Sequence, residues 1–366
     1  MGNDLNQEAE VARDLRGAEL VVGLDAGGTR TRALLAPARA SGAEGGRVLG
    51  EGAGGPGNAL TVPPAQLVEH LVEALAAAVP DSARARVVAV AGGFAGATSA
   101  SPDDPGSVRA RTALTAALDR LGIPAGRLGI WSDIEAAFAS APGTPADGLA
   151  LVAGTGAVAM RVTDRRATTT VDGDGWLLGD EGSGFWIGRS AVRAALRMAD
   201  GRGPATWLAL FVGRALGVPG ECLPYEEVSS YDGEGAESDG SHAPEGTPPF
   251  RWPPLHREAY RMHLLPAVMA EPPIRLARFA PLVAEAAQRR DGVAEAILDE
   301  AAAHLADTVR ALKPCPDERI VATGGLLGPE GPLTSRLHTL VPTLDWVPDG
   351  CQGAVALARL DHGRRL

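Results

Sequence analysis

Two short glycine-rich segments, Asp25-Ala26-Gly27-Gly28-Thr29 and Ala153-Gly154-Thr155-Gly156-Ala157, restrict what this chain can fold into more than anything else in it. Each comes after a run that is apolar throughout, LVVGL before the first and LALV before the second, and each leads directly into a further strand-like run. Short apolar runs bounded by glycine read as buried strands, and glycines between two of them read as a hairpin. The elements beyond the two loops are also alike. The spacing predicts strands at 18–27, 27–36 and 46–54, then a helix between Pro64 and Pro80 carrying the stripe Leu67, Leu71, Leu75 and Val79. A strand at 86–93, a helix at 111–122, a strand at 126–133 and a helix at 134–141 complete the first half. The order returns as strands at 149–156, 157–164 and 167–174, a helix over about 293–312, a strand at 319–325, a helix at 332–340, a strand at 343–347 and a helix at 353–360. No residue-by-residue repeat accompanies it, so the duplication is one of topology, and the fold class it implies is α/β with two similar lobes.

At 366 residues the chain is too long for one core, which agrees with two lobes. The division reads as a charged extension at 1–17, a first lobe at 18–135 and a second at 136–366, the latter interrupted by an insertion at about 175–290. Within the insertion, 217–254 is rich in Gly, Pro, Ser and acidic residues and reads as a mobile loop, either a lid over a cleft or a passive excursion, anchored by Phe250, Trp252 and Leu255. The last helix, 352–363, is expected to pack back on the first lobe.

The charge balance removes several function classes. A net charge of −11 argues against a nucleic-acid partner. No apolar run reaches the ~18 residues that a membrane span needs, and the start MGNDLNQEAEVARD is polar and acidic, unlike a secretory signal. The expectation is a cytoplasmic protein. Cys222, Cys315 and Cys351 are too scattered for a disulfide framework or a CxxC metal site. Lys313 is the only lysine, and it precedes a proline, so neither a P-loop nor a protein-kinase strand lysine can be built. Phosphates would have to be held by backbone N–H groups, hydroxyls and Mg²⁺.

The loops suit that task. Glycines let backbone N–H groups approach an anion, and a carboxylate at a strand end, Asp25, can hold Mg²⁺ through water. Gly154, Thr155 and Gly156 repeat the chemistry in the second half. Gly324 and Gly325, after a strand, leave bare backbone against which a flat adenosine could lie. Asp133 ends the last strand of the first half just before a helix, where it is either a helix cap or a general base for a hydroxyl. The stretch GWLLGDEGSGFWIGR (175–189) sets acids among aromatic rings; Asp180 or Ser183 could cap the helix after it.

Together GLDAGGTRTRALL (23–35), WSDIEAA (131–137), VAGTGAVA (152–159), GWLLGDEGSGFWIGR, FAPLVAEAA (279–287) and VATGGL (321–326) resemble the BadF/BadG/BcrA/BcrD-type ATPase family, and within it the N-acetylglucosamine kinases. The resemblance implies a duplicated ribonuclease-H-like (actin/sugar-kinase) fold, two lobes around a central cleft that takes ATP, Mg²⁺ and a small sugar. It implies that Asp133 is the base on the sugar 6-hydroxyl and that Asp25, Gly27, Gly28 and Thr29 form one phosphate loop and Gly154, Thr155 and Gly156 the other. Gly324 and Gly325 match an adenosine loop, and Asn58, Gly92, Gly93 and Asp180 match positions near the sugar. It leaves a homodimer open. The sequence departs from those kinases at Ala157 and Val158, where they carry serine and asparagine, and at Ala91-Gly92-Gly93, which lacks a serine found in some relatives. Two other readings compete. A dehydratase-activating ATPase would need cysteines for a bridging iron–sulfur cluster, and the three here offer no close pair. A non-catalytic sugar or ATP binder would not require Asp25, Thr29, Asp133 and Asp180 together.

Overall fold

The computed structural model describes residues 17–39, 47–98, 101, 103–226 and 250–363. Strands β1 (Leu20–Ala26), β2 (Thr31–Pro37) and β3 (Gly50–Gly54) form an antiparallel meander. Helices α1 (Pro64–Ala78) and α2 (Asp81–Arg84) lead to β4 (Val87–Phe94), and α3 (Pro105–Leu121) leads to β5 (Arg127–Ser132). Both of these strands add in parallel, giving the order β3-β2-β1-β4-β5. Helix α4 (Asp133–Ala139) ends the half.

The second half opens with the antiparallel trio β6 (Gly148–Ala153), β7 (Ala157–Thr163) and β8 (Arg166–Asp172). Inserted next are α5 (Gly184–Ala199), α6 (Trp207–Ala215), the two-residue strands β9 (Tyr225–Glu226) and β10 (Phe250–Arg251), α7 (Pro254–Met269) and α8 (Ala280–Gln288). The repeat resumes with α9 (Gly292–Ala311), β11 (Ile320–Thr323), α10 (Thr334–Leu340), β12 (Leu344–Trp346) and α11 (Cys351–Gly363). Its sheet runs β12-β11-β6-β7-β8, with β11 and β12 parallel to β6. Read from the trio outward, the two sheets have one order and one pattern of strand directions. This is the duplicated ribonuclease-H-like arrangement of the actin/sugar-kinase fold.

β1 is apolar because both faces of its sheet are covered. Leu67, Leu71 and Leu75 of α1 and Leu114 and Leu118 of α3 pack on one side, while Val355, Leu357 and Ala358 of α11 cover Val21, Ala89 and Ala91 on the other. The covering of the sheets is reciprocal. Helix α4, which ends the first half, presents Ile134, Ala137 and Phe138 to Ala150, Val162 and Val321 of the second sheet, and α11, which ends the second half, lies on the first. Where the two helices meet, a Cβ on Gly353 would stand 1.8 Å from the Ala136 carbonyl oxygen.

Several boundaries differ from the sequence reading for local reasons. α3 starts at Pro105, six residues before the expected 111, because Asp104 caps it by accepting from Ser107 N at 2.7 Å and Pro105 occupies the first turn, where its missing N–H is harmless. The glycines of β3 mark a close approach: a Cβ on Gly50 or Gly52 would meet the Ala78 or Ala74 carbonyl of α1 at 2.2 or 2.0 Å. Of the expected anchors, Trp252 is buried with its Nε1 donating to Cys222 O at 2.9 Å, and Phe250 meets Trp207 edge-on, but Leu255 is 83% exposed. Residues 227–249, the body of the expected loop, lie outside the described residues. No helix among the described residues is long and apolar enough to cross a membrane.

Candidate active site

Because β1, β4 and β5 are parallel, their C-terminal ends emerge together, and that is where an open α/β sheet places its ligands. A cleft of about 390 Å³ opens there, between Asp25, Gly27, Thr29 and Asp133 of the first lobe and Thr323, Gly324, Gly325 and Asp349 of the second. Six of the residues singled out from the sequence, Asp25, Gly27, Thr29, Asp133, Gly324 and Gly325, therefore line one cavity.

The geometry decides between the two readings of Asp133. The cap of α4 is Ser132, whose hydroxyl accepts from Glu135 N at 3.1 Å while Glu135 Oε2 accepts from Ser132 N at 2.9 Å, a complete capping box. Asp133 is the first helical residue and lines the cleft; its carboxylate accepts from Ile134 N at 3.0 Å. Burial pushes its pKa above the usual carboxylate range, partly offset by backbone N–H groups, and Glu135 adds a small push in the same direction. The cap duty belongs to Ser132 and Glu135.

Asp25 is raised to about 6, first by burial; the Gly350 N–H, 3.3 Å from Oδ2, works against this, Asp133 and Asp349 raise it further, and Arg32 lowers it. Asp349 escaped the sequence reading. Its Oδ2 accepts from Arg32 Nη1 at 2.5 Å and its Oδ1 from Cys351 N at 2.8 Å. The signal was available in the duplication: Trp346 to Asp349 before α11 repeats Trp131-Ser132-Asp133 before α4. Arg30 and Arg32 also line the cleft, so the lack of lysine does not leave it without cations. Both stand in the GGTRTR run directly behind the first loop.

Gly27, Gly28, Gly154 and Gly156 do not have positive φ. A Cβ on Gly28, Gly154 or Gly325 would meet nothing within 4 Å. Neither conformation nor packing asks for glycine at these three positions, and what they leave is bare backbone and open space. Gly324 is different: at φ +107 its Cβ would lie 2.2 Å from Ala153 O, so glycine is needed to seat β11 against the end of β6.

The second loop is braced from behind. Gly184 N donates to Gly154 O at 2.8 Å and Phe185 N to Thr155 O at 3.1 Å, tying it to the start of α5. Asp180 is buried with its Oδ1 accepting from Ala157 N at 3.1 Å, and burial raises its pKa. Ser183, not Asp180, caps α5, accepting from Trp186 N at 3.2 Å. Asn58 sits beside the first loop, since Gly57 N donates to Gly27 O at 2.8 Å, and its Oδ1 accepts from Leu60 N and Thr61 N at 2.9 and 3.0 Å. Gly92 and Gly93 are buried inside β4; side-chain space there is filled by the Phe94 ring and by Ala136 of α4. Gly93 thus lets α4 lie close enough to put Asp133 next to Asp25.

For Mg²⁺, a hard cation that keeps much of its water, Asp25 and Asp349 offer oxygen donors beside the first loop. Their oxygens and the Cys351 sulfur lie within 4.8 Å of one another. The Cys351 thiol is pushed up by burial and by the neighbouring carboxylates, so it stays protonated and is a poor ligand for such an ion.

Residues 22–340 match the sequence profile of the BadF/BadG/BcrA/BcrD ATPase family. The chain belongs to that family. No curated protein sequence matches it. Among solved structures it is similar to a provisionally named N-acetylglucosamine kinase of Chromobacterium violaceum, with a TM-score of 0.62 at 21% identity over 93% of this chain and 99% of the other. A second, also provisionally named N-acetylglucosamine kinase, from Porphyromonas gingivalis, gives 0.61 at 19% identity over 94% and 99%. These likenesses establish the shared fold; the ATPase family makes ATP the expected nucleotide.

Proposed function

We propose that this protein is an ATP-dependent kinase that transfers the γ-phosphoryl group of ATP to the 6-hydroxyl of an amino sugar, N-acetylglucosamine first. The observation that carries the reading is Asp133: a carboxylate lining the cleft, released from capping by Ser132 and Glu135, beside bare-backbone loops suited to phosphates. Phosphoryl transfer asks the protein chiefly for positioning and charge stabilisation. Asp133 accepts the proton of the attacking hydroxyl, which its raised pKa assists. The N–H groups of the loops at 27–29 and 154–156 hold the phosphates, Arg30 supplies positive charge, and Gly324 and Gly325 bed the adenosine. Mg²⁺ held by Asp25 and Asp349 screens the phosphate charge when bound.

The amino sugar is supported by Asn58. Two backbone N–H groups already occupy its Oδ1, so the side chain meets a ligand with its NH₂ donor, which suits the carbonyl of an N-acetyl group. Asp180 supports the same pocket indirectly by fixing the loop at Ala157. The test is ADP release with glucose, glucosamine, N-acetylglucosamine and N-acetylmuramic acid, using wild type, Asp133→Asn and Asn58→Ala. We expect N-acetylglucosamine to have the highest kcat/KM, Asp133→Asn to lose about 10²–10⁴-fold in kcat, and Asn58→Ala to erase the preference over glucose. A variant at Asp133 that keeps a tenth of wild-type kcat defeats the base assignment; unchanged sugar ranking in Asn58→Ala defeats the amino-sugar assignment alone.

A further inference from the structure

Strand β8 ends at Asp172 in the left-handed region, at φ +62, and Asp180 eight residues on has φ +56. Aspartate enters that region at a cost that its own side chain can offset by accepting from nearby backbone N–H groups. Asp172 does so three times. Its Oδ1 accepts from Gly173 N at 2.8 Å and from Asp180 N at 2.7 Å, and its Oδ2 from Glu181 N at 2.9 Å. One carboxylate thus closes the turn 173–181 at both ends. Asp172 stands three residues before GWLLGDEGSGFWIGR, so none of the motifs in the sequence singles it out.

Asp180 passes the constraint on. Its Oδ1 accepts from Ala157 N, directly behind Gly154-Thr155-Gly156. Two glycines clear the way for the two carboxylates: a Cβ on Gly179 would stand 2.3 Å from Asp172 Oδ1, and one on Gly156 2.8 Å from Asp180 Oδ1. The sheet adds a second link, because Asp172 pairs with Val158 between β8 and β7. The second loop is therefore held both from the start of α5 and from the end of β8. Charge alone does not account for the arrangement. Burial raises the pKa of Asp180 most, and Asp172 and Asp174 each add to it, yet Asp174 makes no hydrogen bond among the described residues.

We infer that Asp172 is a positioning residue for phosphoryl transfer: it fixes Asp180, and through Asp180 the loop at 154–156, in the shape that receives phosphate. The effect on turnover rests on the kinase reading proposed above; the lock itself does not. Hydrogen exchange read by mass spectrometry over 153–158, urea unfolding and ADP release with N-acetylglucosamine are compared in wild type, Asp172→Gly, Asp172→Asn and Asp174→Asn. Glycine suits φ +62 better than aspartate, so a loss in Asp172→Gly does not come from backbone strain. Asparagine keeps the conformation and one acceptor oxygen but turns an NH₂ towards a backbone N–H, and it stands in should the glycine variant fail to fold. Asp172→Gly should exchange about tenfold faster or more over 153–158 while the first lobe stays as protected as in wild type. Its kcat should fall about 10–100-fold. Asp172→Asn should show smaller shifts of both, of about threefold or more, and Asp174→Asn neither. Unchanged exchange over 153–158 in both Asp172 variants overturns the lock, whatever the turnover. Exchange that rises equally throughout the chain, or a matching effect in Asp174→Asn, overturns it too. A loosened loop with wild-type kcat overturns the positioning role. If wild type releases no ADP with any sugar, the kinase reading fails instead, and the exchange comparison still decides the lock.

Discussion

Asp25 carries a charge that its burial disfavours. Its pKa in the folded protein is about 6, against 3.8 for an ordinary aspartate, with burial the main cause. Linkage sets the sign: a carboxyl raised on folding favours the fold fully only below its unfolded pKa, and that contribution is lost as pH rises through 6. Asp25→Asn should therefore be more stable than wild type at pH 7.5, by on the order of 3 kcal/mol. The gain should shrink steadily as the pH is lowered towards 4. Thermal unfolding across that range is the check, and a lower Tm for the variant at pH 7.5 contradicts the account. The same substitution should sharply reduce turnover if the carboxylate helps hold Mg²⁺, so the residue would trade stability for function.

At the scale of elements, α4 has to start at one residue and in one direction, and Glu135 sees to both. Its fully buried carboxylate accepts from Ser132 N, from Ala167 N at 2.9 Å and from Arg166 Nη1 at 3.2 Å. It closes the capping box and also ties the start of α4 to β8 of the other lobe. Glu135→Gln keeps the shape but turns an NH₂ towards one of these donors and leaves Arg166 without its charge. Breaking a buried charged network in this way costs about 3 kcal/mol or more, read as a clear drop in Tm. Turnover should fall beyond what the lost stability explains, because Asp133 is the next residue after the cap. A Tm within a degree of wild type would show that the tie to β8 carries no weight.

For the whole molecule the decisive contact is the crossing of α4 and α11, where each half's last helix lies on the other half's sheet. Gly353 sits at the crossing with no room for a side chain, its would-be Cβ 1.8 Å from Ala136 O. Gly353→Ala must push the two helices apart, and overpacking of that kind costs about 1–3 kcal/mol. Urea unfolding of the variant should show the loss, and kcat should fall with it, because α4 carries Asp133 on the cleft and α11 begins just after Asp349. An alanine accommodated with no change in midpoint would mean that the crossing is looser than this geometry allows.

The strands and helices of the two repeated halves, their repetition and the loops were legible in the sequence alone, whereas α6, α7 and α8 of the insertion were not. Apolar runs broken by glycine can be read without knowing what covers them, because burial on both faces leaves its mark on every residue of β1. The order of elements made the duplication visible, and the residue types at Asp25, Asp133 and Gly324 pointed to the cleft. What only the tertiary structure decided depends on neighbours far away in the chain. Whether Asp133 caps its helix or faces the cavity turns on Ser132 and Glu135, and Glu135 in turn is held by Arg166 and Ala167. Asp349 and Arg32 meet across more than three hundred residues of chain. Gly93, which the resemblance sets near a sugar, is also the seat of α4, a contact that no local pattern announces. Side-chain identity fixes what a group can do, but its environment fixes whether it does so, and hydrogen bonding and burial between distant segments are written in no local pattern.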